Sequence, residues 1–298
     1  MPPRETLIIK LGALGDVLRT TPLLRRLPGR VTWVTGEAAL PLLAGHPRVR
    51  VLPFRRAASA LSRRFDLLVN FDEDPRACRL AARARAALRV GARLEDGNVT
   101  YCERSAPWFD MSLISRLGTR RADALKARGR LPYQDYLFAA CGLRFAGEEY
   151  WLPVRPRRAS NGRVALETRA GERWPAKRWA GFKPLERHLL EQGREPVLLR
   201  QRGELSRYLE DINACGVVVA ADTLAMHVGL ALRKRVVAIF NCTSPHEIHG
   251  YGRLVKVVNP RLRDFFYSQE PLPARAHVPL RAVTRAVEIA AAGGDLLS

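Results

Sequence analysis

The feature that most constrains this chain is a rhythm of short apolar runs separated by stretches of helical character, set out twice. In the first half the runs are 6–10 (TLIIK), 31–35 (VTWVT), 49–53 (VRVLP) and 66–71 (DLLVNF). In the second they are RVALET, PVLLR, GVVVAA and RVVAIF, beginning at Arg163, Pro196, Gly216 and Arg235. Between them lie helical candidates: DPRACRLAARARAAL, PYQDYLFAACGL with its stop at Gly142, FKPLERHLLEQG and MHVGLALR. Strands of this length alternating with helices predict an α/β chain of parallel sheets covered by helices. LPVRPRRASNG, residues 152–162, interrupts the rhythm with Pro, Arg and small polar residues and reads as a linker. The expected organisation is therefore two Rossmann-like domains, 1–155 and 156–280, facing a central cleft. The tail LRAVTRAVEIAAAGG adds an amphipathic helix within 281–298, expected to pack back on the N-terminal domain.

A chain of 298 residues can fill two such cores. No apolar run reaches the ~18–20 residues that span a bilayer. Lys10 and Asp16 interrupt the N-terminal apolar stretch, so no secretory signal is read and a cytoplasmic location is expected. Cys78, Cys102, Cys141, Cys215 and Cys242 are scattered without a CxxC pair and give neither a disulfide nor a zinc framework. The formal charge is +21, mostly from arginine. Such a balance suits nucleic acid, anionic lipid or phosphorylated ligands. Because the arginines are spread along the chain, general compositional bias is the competing reading.

The stretch LIIKLGALGDVLRTTPLL, residues 7–24, reads as strand, glycine loop and helix. Gly12 and Gly15 match neither GxGxxG nor the Walker pattern. A helix N-terminus attracts anions, yet Asp16 already places a carboxylate there, so this loop is a poor diphosphate site. The same dipole favours the ionised acid, which leaves Asp16 able to accept a proton. Gly15 would let the chain turn tightly and a substrate hydroxyl come close. An N-cap role for Asp16 fits the spacing equally well.

LIIKLGALGDVLRTTPLLRRL resembles the opening motif of the glycosyltransferase family 9 heptosyltransferases, and VVVAADTLAMHVGLALRKRVVAIFNCTSP is similar to that family's second-domain motif. RWPAKRW and YQDYLFAACGL resemble further family segments, so the likeness runs through nearly the whole chain in order. It implies a GT-B fold and inverting transfer of a heptose from a nucleotide-diphosphate donor, usually ADP-heptose, with no required metal and no other cofactor. It assigns the general base to Asp16. The acceptor it implies is a lipopolysaccharide-core-type glycan at the inner face of the cell membrane, with the protein a peripheral monomer helped by its positive charge on anionic lipid.

The donor is expected on the second domain. After the strand GVVVAA, Asp222 and Thr223 open a helix whose amides at Thr223, Leu224 and Ala225 could cradle a diphosphate, with His227 one turn along. Asp222 fits sugar hydroxyls or a helix cap. Ala225 stands where the family usually has Gly, and its methyl is expected to narrow the approach. Arg173 and Lys177 are candidate phosphate clamps, Thr168 adds a hydroxyl, and Thr243 and Ser244 border the pocket. Trp174 and Trp179 read as packing residues. The segment between PVLLRQRGEL and GVVVAADT is shorter than in the family, which leaves the nucleobase open.

Asp72, Glu73 and Asp74 invite a metal-binding DxD reading, but a strand end or helix cap is the commoner meaning, and the expected diphosphate site is in the other domain. His246, Glu247 and His249 have the wrong spacing for a zinc site. Two alternatives remain: a transferase of another sugar on the same scaffold, and a basic nucleic-acid-binding protein without catalysis. The second would need basic stripes with exposed aromatics, whereas the aromatics here sit mostly in apolar runs, so no specific nucleic-acid partner is expected.

Overall fold

The computed structural model describes residues 4–201 and 203–292, and the chain divides after Pro153 into two compact units. In the first, β1 (Glu5–Ile9), α1 (Leu14–Thr20), β2 (Arg30–Thr35), α2 (Leu40–Leu43), β3 (Val49–Pro53), α3 (Ala58–Leu61) and β4 (Arg64–Asn70) follow the apolar runs closely. Then come α4 (Pro75–Arg83), β5 (Arg85–Glu95), β6 (Asn98–Tyr101), α5 (Ala106–Phe109), α6 (Thr119–Arg128) and α7 (Tyr133–Ala140). The six-stranded sheet has the order β3-β2-β1-β4-β5-β6, parallel except for β6. Its order reverses between β1 and β4, the place where doubly wound sheets open a crevice at their carboxyl ends. Leu7, Ile9, Val34 and Leu68 pack one face of this sheet against Ala77 and Leu80 of α4.

DPRACRLAARARAAL is not one helix. It ends at Arg83, and Arg85–Glu95 become β5, paired from Arg64↔Arg85 to Asn70↔Gly91. Pairing with β4 overrides the helical propensity of Ala and Arg. Gly91, at φ +104, brings the two backbones so close that a Cβ would lie 1.9 Å from the Asn70 carbonyl oxygen.

The second unit contains β7 (Arg163–Glu167), α8 (Phe182–Glu191), β8 (Glu195–Leu198), α9 (Leu205–Asn213), β9 (Val217–Ala221), α10 (Leu224–Ala231), β10 (Arg235–Phe240), β11 (Leu254–Val258) and α11 (Leu280–Ala292). Its five strands are all parallel in the order β11-β10-β9-β7-β8, with the reversal between β7 and β9. Alternate residues face opposite sides. Val217, Val219, Val237 and Ile239 pack against α8 and α11, whereas Val218 and Val236 lie beneath Gly229 of α10. Helix α11 packs on the sheet of its own unit through Val283, Ala286, Val287 and Ala290. Residues 293–298 of that tail lie outside the described residues.

Candidate functional site

In the first unit, β1 and β4 deliver Lys10, Leu11 and Asp72 to the switch point. Lys10 Nζ donates to the Phe71 carbonyl at 2.9 Å and lies 3.6 Å from the Asp72 carboxylate. Asp72 also accepts from the Leu11 amide at 2.7 Å, so it secures the loop that leads into α1. Burial works against the Lys10 charge, but Asp16 and Asp72 outweigh it and hold the ammonium above its ordinary pKa.

Asp16 is not the N-cap. Helix α1 starts at Leu14 with Ala13 as cap, and Asp16 stands in the first turn, its own amide donating to the Ala13 carbonyl at 2.9 Å. Its side chain remains about one-third exposed and pairs with Arg19 Nη2 at 2.9 Å. Arg19 is fixed in turn, its guanidinium 4.2 Å from the centre of the Tyr133 ring and 5.5 Å from that of Trp108. Gly15 lies inside the helix, and neither it nor Gly12 adopts a positive φ, so the tight-turn role expected of Gly15 is not realised. A Cβ on Gly12 would meet open space. The result is an accessible carboxylate oriented by one arginine above a rigid aromatic bed.

In the second unit, the carboxyl ends of β7, β9 and β10 bring Thr168, Asp222–Thr223 and Thr243–Ser244 to one edge of the sheet. Thr223 caps α10 without any side-chain hydrogen bond, and its Oγ1 is buried without a partner. Thr243 Oγ1 is likewise buried and unpartnered. A buried hydroxyl left unpaired is costly, so two of them on the same edge, beside the first amides of a helix, suit an incoming polar ligand. Ala225 is completely buried, so its methyl belongs to the packing of α10 and does not narrow an open approach. His227 is also buried, with Nε2 3.9 Å from Asp222 Oδ1.

The basic residues divide. Lys177 does not project freely: its Nζ donates to both the carbonyl and the carboxylate of Asp222. Asp222 is therefore neither a cap nor an unengaged acceptor. Arg173 is exposed, 5.8 Å from the centre of the Trp174 ring, which itself packs edge-on to Tyr267. Trp179 is a core residue, donating from Nε1 to the Val278 carbonyl. Sequence reasoning missed a neighbouring cluster. Glu167, at the end of β7, accepts from Arg169 Nε and Nη2 at 2.8 Å each and from the Tyr208 hydroxyl at 2.6 Å. The signal was a carboxylate closing an apolar strand, followed two residues later by arginine.

The DxD triplet is structural. Asp74 caps α4 through the Arg76 amide and pairs with the Arg76 guanidinium, while Asp72 holds the β1 loop. Among the described residues no group of three His, Cys, Asp or Glu side chains could hold a metal ion. Glu247 instead accepts from the Tyr267 hydroxyl at 2.7 Å.

Residues 183–264 match the family model described as glycosyltransferase family 9 (heptosyltransferase). The resemblance to glycosyltransferase family 9 stands. The matched stretch contains Asp222, Thr223, Leu224, Ala225, His227, Thr243 and Ser244, the edge just described. No curated protein matches the chain in sequence. Among solved structures, the chain is similar to E. coli heptosyltransferase WaaC with ADP-2-deoxy-2-fluoro heptose, at TM-score 0.64 and 16% identity over 96% of this chain and 99% of that one. It is also similar to the family 9 glycosyl transferase from Veillonella parvula DSM 2008, at TM-score 0.67 and 14% identity over 98% of each chain. E. coli ADP-heptose lps heptosyltransferase II follows at TM-score 0.59 and 17% identity, over 96% of this chain and 99% of that one. The architecture is thus the GT-B fold of the family 9 heptosyltransferases, a two-unit α/β design. No helix of the described residues is long and apolar enough to cross a membrane.

Proposed function

We propose that this chain is an inverting glycosyltransferase that moves a sugar, a heptose by family likeness, from a nucleotide-diphosphate donor to a glycan hydroxyl. The observation that carries this reading is the start of α10, where the N-cap Thr223 makes no side-chain capping bond and its hydroxyl is buried and unpartnered, placed at the sheet reversal inside the stretch matching family 9. The amides of Thr223, Leu224 and Ala225 and the two hydroxyls hold the diphosphate and stabilise the charge that develops as it leaves. Arg173 adds a cation from the loop after β7. Lys177 acts through Asp222, whose carbonyl it anchors.

In the first unit Asp16 takes the proton of the acceptor hydroxyl as that oxygen attacks the anomeric carbon. The new C–O bond forms on the face opposite the diphosphate, the bond to the phosphate oxygen breaks, and the configuration inverts. The Asp16 carboxylate is accessible, and Arg19 aims it. Neither step calls on a metal or a cofactor beyond the sugar donor. The solved neighbour WaaC carries an ADP-heptose analogue, which favours ADP as the nucleotide here. A lipopolysaccharide-core-type acceptor on an anionic membrane surface, met by a monomer from the cytoplasmic side, completes the proposal.

Asp16→Asn tests the base. Transfer should fall about 10²–10⁴-fold while donor affinity stays nearly intact, as measured by product formation and by calorimetric titration with ADP. Substantial turnover by the Asn protein would remove Asp16 from the role.

A further inference from the structure

The segment read from sequence as a linker is fastened down, and it builds a basic groove at the other end of the second sheet. Lys234 is buried, and its Nζ donates to the carbonyls of Arg157 (2.7 Å) and Asn213 (2.6 Å). The Asn213 side chain accepts from the Arg157 amide and donates to the Arg155 carbonyl. At Gly216 a Cβ would lie 2.4 Å from the Ser160 carbonyl oxygen, so only glycine lets the segment lie this close to the start of β9. These contacts present Arg157 and Arg158 from a fixed backbone.

Arg233 and Arg235, at the turn from α10 into β10, line the same groove. Together with Ser160 and Lys234 they line a groove of about 910 Å³ whose lining contains no carboxylate. The guanidinium groups of Arg157, Arg158 and Arg233 make no ion pair or hydrogen bond among the described residues. Arg233 also holds φ +56, the left-handed conformation that a helix end ordinarily gives to glycine. A residue strained in this way, with no side-chain hydrogen bond or ion pair among the described residues to hold it there, points to a task for the charge.

We propose that this groove binds a multiply phosphorylated soluble ligand, at the amino ends of the strands and therefore apart from the donor edge at their carboxyl ends. Several arginine forks lining one groove match tetrahedral oxyanions. The concavity favours a discrete anion over a flat bilayer, because a planar surface would reach the rims and miss the floor.

The test is titration of the full chain with inorganic tripolyphosphate, in moderate salt and with saturating ADP present to occupy the donor edge. Saturable binding is expected, weakened at least tenfold by Arg233→Gly and by the double variant Arg157→Ala/Arg158→Ala. Arg233→Gly should raise the thermal midpoint, since glycine suits the backbone, so its loss of binding cannot be attributed to unfolding. The proposal is overturned if the wild type shows no saturable binding under ADP, or if Arg233→Gly binds as the wild type does. It is equally overturned if phosphatidylglycerol vesicles bind through these arginines while tripolyphosphate does not.

Discussion

Lys177 Nζ stands 2.9 Å from both the main-chain carbonyl and the carboxylate of Asp222. A peptide plane points its C=O and N–H in opposite directions, so the lysine that holds the Asp222 carbonyl also aims the Thr223 amide. Lys177 thus shapes the start of α10, where the proposed diphosphate would sit, through the Asp222 carbonyl. Lys177→Met should cost about 1–3 kcal/mol, because it removes the lysine partner of a largely shielded carboxylate, and it should weaken ADP binding. Adding Asp222→Asn should recover much of the stability and little of the affinity. Urea unfolding and calorimetry on the same proteins separate the two effects. A lysine that touched phosphate directly would lose affinity with no loss of stability.

Glu167 satisfies its buried carboxylate with four donors, from the Arg169 amide and guanidinium and from Tyr208. The cluster closes the end of β7, with Glu167 level with Ala220 of β9, and so it stiffens the backbone from which the loop carrying Arg173 departs. Tyr208→Phe removes one donor and should destabilise by about 1–2 kcal/mol while leaving transfer largely unchanged. Arg169→Ala removes a charge partner from a carboxylate that stays buried and should cost more than Tyr208→Phe. Denaturation midpoints of the two variants decide the order. A larger loss for Tyr208→Phe would show that the hydroxyl, not the guanidinium, carries the cluster.

The sheets were legible because their strands are continuous apolar runs. Val217–Ala221 is buried at every position and reads as a strand without ambiguity. Arg85–Glu95 was not legible, since Ala and Arg favour helix locally and only the β4 partner makes a strand of them. At the site, the motif around Asp16 placed the acid at a helix start but left cap and base open; α1 begins three residues earlier than a cap at Asp16 would require, and that settled the cap. Lys177 looked like a clamp because sequence shows a cation after a strand and hides the carboxylate that long-range folding sets against it. Ala225 looked obstructive for a related reason: spacing gives the helix position and not the direction of its methyl.

Alkaline pH should destabilise the protein through its buried thiols. Burial pushes Cys78 up from an ordinary 9.0 to about 12, and Cys215 and Cys242 to about 11. A folded-state value above the unfolded one means that the neutral thiol belongs to the folded state. Its contribution is complete below pH 9 and is lost as pH rises towards the folded value, because the unfolded chain gives up its proton first. Lys234 and Lys256 oppose this trend, since burial lowers their values and favours their neutral forms at high pH. The comparison that isolates one thiol is therefore wild type against Cys78→Ala. Cys78 is fully buried beside Asn70 and Asp72, so the alanine protein should be the less stable of the two at pH 7. Between pH 9 and pH 11 the gap should narrow, by at most about 1.4 kcal/mol per pH unit for a single proton. Urea midpoints at half-unit steps measure it, and a gap that stays constant across that window would mean that the thiol titrates alike in the folded and unfolded chain.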